Sequence, residues 1–148
     1  MKLSLYVFLG LLTCSFVARS QTVPEGASTL EVTTTLADST LFESVLSHLE
    51  DEGFDIEVAD ESQKSIVTEY QGKTESSRIR ILATIDNGVA LFKGQCSGES
   101  GGATYDNESL VNEQSASEFE KVGFLWFNQI VTRYARSLDQ ATLEYHEP

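Results

Sequence analysis

LFESVLSHLEDEGFDIEVADESQKSIVTEY, residues Leu41 to Tyr70, switches from helical to strand periodicity at a single glycine. Leu41, Phe42, Val45, Leu46 and Leu49 recur at the spacing of one helical face, with Glu43, Ser47, Glu50 and Asp51 opposite. Asp38 or Thr40 is expected to cap this helix, and Thr40-Leu41-Phe42-Glu43 fits a reciprocal capping box. Gly53 supplies a left-handed stop, and Phe54 is placed to fold back on Leu49. Beyond the stop, Phe54, Ile56 and Val58 alternate with Asp55 and Glu57, the pattern of a half-buried strand. Asp60 to Lys64 make a polar turn, and Ser65 to Tyr70 return as a second strand.

Upstream, Leu30, Val32, Thr34 and Leu36 alternate with polar residues and predict a strand. Downstream, Arg78 to Ile85 runs into Asn87-Gly88, whose tolerance of positive φ suits a tight hairpin turn. A two-residue turn there sets Asp86 opposite Val89, Ile85 opposite Ala90, Ala83 opposite Phe92, Ile81 opposite Gly94 and Ile79 opposite Cys96. The register turns Cys96 inward, where it acts as a small apolar group. Ser97 to Ser115 is rich in Gly, Ser, Asn and Glu, and residues 97–116 read as a long flexible loop. Ser117-Glu118-Phe119-Glu120 is a second capping box. It opens a helix whose stripe includes Phe119, Val122, Gly123, Trp126, Phe127, Ile130, Val131, Tyr134, Ala135 and Leu138. Phe124 and Leu125 fall outside that stripe; they either mark a contact surface or, as is favoured, pack on the first helix.

The expected fold is therefore α+β: an antiparallel sheet of four to five strands with two helices on one face, ordered strand, helix, four strands, helix. The expected divisions are a signal peptide (1–20), an unstructured leader (21–28), a single domain (29–140) and a tail (141–148) that could add a short strand.

Lys2, an apolar run from Leu3 to Leu12, and small residues in Ala18-Arg19-Ser20 have the layout of a secretory signal cleaved between Ser20 and Gln21. The run is too short to anchor in a membrane once Arg19 interrupts it. Leu11-Leu12-Thr13-Cys14 is a poor lipoprotein box, because Thr13 precedes the cysteine. Loss of Lys2 and Arg19 with the leader takes the formal charge from −13 to −15. So acidic a surface repels phosphate backbones, which argues against nucleic-acid binding. With Cys14 also removed, Cys96 is the remaining cysteine and no internal disulfide forms.

Cys96-Ser97-Gly98-Glu99-Ser100-Gly101-Gly102 mimics the segment around a serine-protease nucleophile. The setting is wrong, however: His48 sits in a helix, His146 in the tail, and Glu99 replaces the usual aspartate. No catalytic residue, cofactor or metal is assigned. Two histidines at opposite ends of the chain offer no transition-metal spacing. Glu50, Asp51, Glu52, Asp55, Glu57, Asp60 and Glu61 follow no EF-hand pattern and are expected to form a solvated acidic face. Asn107-Glu108-Ser109 is a formal glycosylation sequon, relevant only in a eukaryotic host. Phe119, Trp126, Phe127 and Tyr134 could line a ligand cleft between the long helix and the sheet, although helical spacing suits core packing equally.

Leu49, Gly53, Phe54, Asp60, Thr68 and Glu69 form a pattern: a helix ending Leu-x-x-x-Gly-Phe, a strand, an Asp-containing turn and a strand ending Thr-Glu. It resembles the domains of BamC-type periplasmic envelope lipoproteins and related bacterial secreted domains. The resemblance implies an antiparallel sheet carrying helices and carries over no functional residue. The expectation is a non-enzymatic secreted or periplasmic domain that binds an envelope protein partner; the alternative is a small-molecule carrier.

Overall fold

The computed structural model describes residues 22–74 and 77–148. The signal segment, its Ser20–Gln21 junction and Cys14 lie outside them. The elements are β1 (Thr29–Thr33), α1 (Asp38–Asp51), β2 (Ile56–Asp60), β3 (Ser65–Thr68), β4 (Gln71–Thr74), β5 (Ser77–Asp86), β6 (Val89–Ser100), β7 (Ala103–Ser109), α2 (Glu118–Ser137) and β8 (Thr142–His146). The protein is a mixed α and β fold in which two helices pack on an antiparallel sheet, as expected. The sheet has eight strands rather than four or five, in the order β2-β3-β5-β6-β1-β8, with β4 beside β5 and β7 beside β6.

The difference arises from the central hairpin. β5 and β6, of 10 and 12 residues, are longer than any neighbour, so each takes two partners end to end. Along β5, β3 pairs with residues 82–84 and β4 begins at Ile79. In the gap, the Thr68 hydroxyl accepts the Ile81 N–H at 3.0 Å and replaces the missing ladder bond. Along β6, β1 pairs with residues 89–93 and β7 begins at Gln95. Here the Gly94 carbonyl accepts the Leu110 N–H at 2.9 Å. Both side chains at the first gap, Thr68 and Ile81, are buried. Thr68→Val, which keeps the shape and removes the acceptor, is therefore expected to cost ~1–3 kcal/mol. A urea midpoint unchanged from wild type would contradict that role.

The Asn87-Gly88 turn forms with φ of 51° and 76°, and every pairing expected across it is present. The Schellman stop also forms: Gly53 N–H donates to Glu50 O, and Phe54 N–H to Leu49 O, closing a buried Leu49–Phe54 contact. The α2 capping box joins Ser117 and Glu120 in both directions. The first helix starts differently. Its N-cap is Ala37, without a side-chain bond, and neither Asp38 nor Thr40 caps it. The Asp38 carboxylate instead accepts the N–H groups of Asn87 (3.1 Å) and Gly88 (2.7 Å), tying the helix start to the hairpin turn.

Leu30, Val32, Ile66, Ile79, Ile81, Ala83, Ile85, Phe92 and Cys96 form the buried sheet face, covered by Leu41, Val45 and Leu49 of α1 and Phe127, Ile130, Val131 and Tyr134 of α2. Gly94 and Gly123 let α2 approach closely: a Cβ on Gly94 would stand 3.0 Å from Phe127 Cγ, and one on Gly123 would stand 3.0 Å from Leu110 Cδ2. The helices meet where His48 Nε2 donates to Ile130 O at 3.0 Å and Tyr134 Oη bonds Ser44 Oγ at 3.1 Å. No helix among the described residues is long and apolar enough to cross a membrane.

Three further expectations are corrected. Residues 97–116 are not one flexible loop, because 97–100 complete β6 and 103–109 form β7, with Gly101-Gly102 turning between them. Residues 24–28, placed in an unstructured leader, are fixed by bonds from Gly26 N to Asn112 O and from Asn112 N to Ala27 O. Val58 does not point inward. A register shift between Ile56 and Val58 turns it to the opposite face, where it is 44% exposed.

Candidate functional site

The helices cover one face of the sheet. The other carries an unexpected apolar row: Val58, Val67 and Leu82 are successive cross-strand partners on β2, β3 and β5. Lys93 comes next on β6, and Leu91, two residues along, lies diagonal to Leu82. Val58 and Leu91 are two of the four exposed large hydrophobic residues among those described, at 44% and 36%. Antiparallel sheets normally turn polar residues to a solvated face, so this row needs a reason beyond folding. Lys93 makes no ion pair among the described residues.

Beside the row, a polar network is already satisfied. Arg80 Nε donates to Gln95 Oε1 at 2.8 Å, and its Nη1 reaches Glu57 at 3.4 Å. The guanidinium lies 5.0 Å above the Tyr70 ring, whose hydroxyl donates to Asn107 Oδ1 at 2.8 Å. Partial burial pushes the Tyr70 hydroxyl pKa up, so this ring stays a neutral donor. Farther along, Arg78, Ser97, Glu99, Tyr105 and Asp106 border an open groove of about 520 Å³. The arrangement offers apolar contact area, one free ammonium among the described residues and a fixed polar border.

The residues considered for a cleft are distributed differently. Phe127 and Tyr134 are fully buried, Phe119 is 8% exposed, and Trp126 is half-buried and stacks on Phe54 at 5.7 Å. Phe119 stacks on Tyr105 at 4.9 Å, and Tyr134 meets Phe92 edge-on at 5.8 Å. These rings fill the layer between helix and sheet. Phe124 is buried against Phe127 of its own helix, whereas Leu125 is 56% exposed and shares its surface with Val122 at 58%.

The protease-like segment becomes hairpin structure. Cys96 is buried, Ser100 pairs with Ala103, and the two glycines make the turn. His48 is engaged between the helices and His146 contacts Glu31. Burial, reinforced by the Glu120 and Glu108 carboxylates, pushes the Cys96 thiol up to about 11, so it stays protonated at neutral pH. Thiol reagents are expected to modify Cys96 only after denaturant is added; rapid modification of the native protein would contradict this placement.

Several acids considered for calcium serve the fold. Glu61 contacts Lys64, and the Asp60 carboxylate accepts the Ser62 and Gln63 N–H groups in its turn, with the Ser62 hydroxyl foremost in holding its pKa low. Glu52 accepts Arg133 Nε at 2.8 Å in a two-pronged bond. That hydrogen bond is the main reason the Glu52 carboxyl lies below its ordinary value of 4.5. A depressed acid stabilises the fold above its unfolded pKa and loses that contribution as pH falls through the native one. Because Arg133 is half exposed, Glu52→Gln is expected to cost only ~0.5–1 kcal/mol at neutral pH. Its urea midpoint should converge with wild type in strong acid; a constant difference across pH would contradict the assignment.

Comparison with models of known protein families found no match, and comparison with curated proteins found none similar.

Proposed function

We propose that the chain is a non-enzymatic secreted or periplasmic domain whose uncovered sheet face docks an envelope protein. The apolar row Val58-Val67-Leu82 with Leu91, left open while two helices cover the opposite face, carries this reading. Lys93 beside the row favours a partner that presents a carboxylate next to apolar side chains. The secretory layout of the leader and the resemblance to BamC-type domains support the compartment.

Co-purification from the native host tests it. The wild-type chain should repeatedly recover one partner, and the uncharged pair Val58→Thr/Leu91→Gln should lose it while keeping a melting temperature near wild type; a charge at Leu91 is avoided because that residue stands opposite Glu31. Recovery of a lone monomer each time would overturn the reading. Val122 and Leu125 on α2 are the competing surface, and a partner lost only on their substitution would move the site there.

A further inference from the structure

On the same sheet face, at the β1–β8 edge, the two ends of the domain bring three ligating side chains together. Glu31 of β1 stands directly opposite Glu144 of β8, and His146 lies two residues along on the same face. One ligand atom from each lies within 4.8 Å of the others, and His146 Nε2 is 2.9 Å from Glu31 Oε2. Thr33 Oγ1 donates to the second Glu31 oxygen, Oε1, at 3.3 Å, which orients the carboxylate.

We propose that Glu31, Glu144 and His146 form a binding site for a divalent transition metal of the zinc class. Two carboxylates directly opposite each other on neighbouring strands repel, and a cation between them turns that repulsion into attraction. An imidazole with two carboxylates is a borderline nitrogen–oxygen donor set, suited to Zn²⁺ rather than to Ca²⁺, which takes six to eight oxygens. Small rotamer changes bring such atoms to the ~2.0–2.2 Å needed for Zn–N and Zn–O bonds. Glu144 and His146 are exposed on an edge strand, so water or a partner's side chain completes the coordination. A bound ion clasps β8 onto β1 across the two ends of the domain. The metal site adjoins the apolar docking row, because Glu31 also stands opposite Leu91, but zinc binding is read on the isolated chain and needs no docked partner.

Titration with Zn²⁺ by calorimetry, at neutral pH on protein without a histidine tag, tests it. One equivalent should bind, excess Ca²⁺ should not displace it, and zinc should raise the melting temperature. Loss of even an outer partner of a metal ligand typically weakens binding ~10–100-fold, so His146→Ala and the near-isosteric Glu144→Gln should each weaken it at least tenfold. Without metal, Glu144→Gln should melt no lower than wild type, because it relieves the repulsion with Glu31, and His146→Ala should still unfold cooperatively, which separates loss of a ligand from loss of fold. No binding, displacement by Ca²⁺, or affinity unchanged in both variants would overturn the site.

Discussion

Phe127→Ala is expected to destabilise the protein by ~3–5 kcal/mol, the range for removing a fully buried aromatic ring. Phe127 is wholly inaccessible, meets Phe124 edge-on at 6.1 Å, and lies where α2 crosses the hairpin at Gly94. Its neighbours belong to rigid elements on both sides, so little collapse into the vacated space is available. Denaturant unfolding checks the magnitude. A loss under about 1 kcal/mol would mean that the helix–sheet layer is looser than the packing here.

Gly94→Ala approaches the same contact from the other side and is expected to cost ~1–3 kcal/mol through overpacking. The added methyl would sit 2.8 Å from Leu110 Cδ1 and 3.0 Å from Phe127 Cγ. The leucine tip can turn aside, but Phe127 Cγ is the root of a ring held on all sides. Removing the ring should therefore relieve most of the clash. The Gly94→Ala/Phe127→Ala double variant should lose less than the sum of the single losses, by about 1 kcal/mol or more. Strict additivity would show that the two residues do not share a contact.

Local chemistry makes much of this fold legible. Asn87-Gly88 admits one tight turn, and from it the register runs correctly to Ile79 opposite Cys96. Gly53 marks the helix stop because the phenylalanine after it must reach back to Leu49. The missed strands lack the signal that alternation requires. In β7 only Tyr105 is even partly buried, and the strand extends the hairpin past the core, where an apolar face has nothing to cover. The inward placement of Val58 fails for a different reason: a one-residue shift beside Glu57 reverses the face of the next residues in the strand, and composition does not mark it. Asp38 has the composition of a cap, but its carboxylate reaches a turn some fifty positions away.

Long-range pairing hides the surface features in the same way. Glu144-x-His146 places two ligands on one strand face, but their partner Glu31 lies at the other end of the domain, and only the β1–β8 register joins them. The apolar row draws one residue from each of three strands, with Leu91 added from a fourth, so no continuous stretch displays it. Residues suggested for a cleft by helical spacing proved to be packing residues, which the same spacing serves equally well.

The most direct test of the proposed docking face is site-specific photo-crosslinking in the native host, from probes placed singly at Leu91, Val58, Leu125 and Glu43. Leu91 and Val58 should yield the same discrete adduct, with none from Glu43 on the solvent side of α1. Adducts from Leu125 alone, or none from either sheet position, would contradict it.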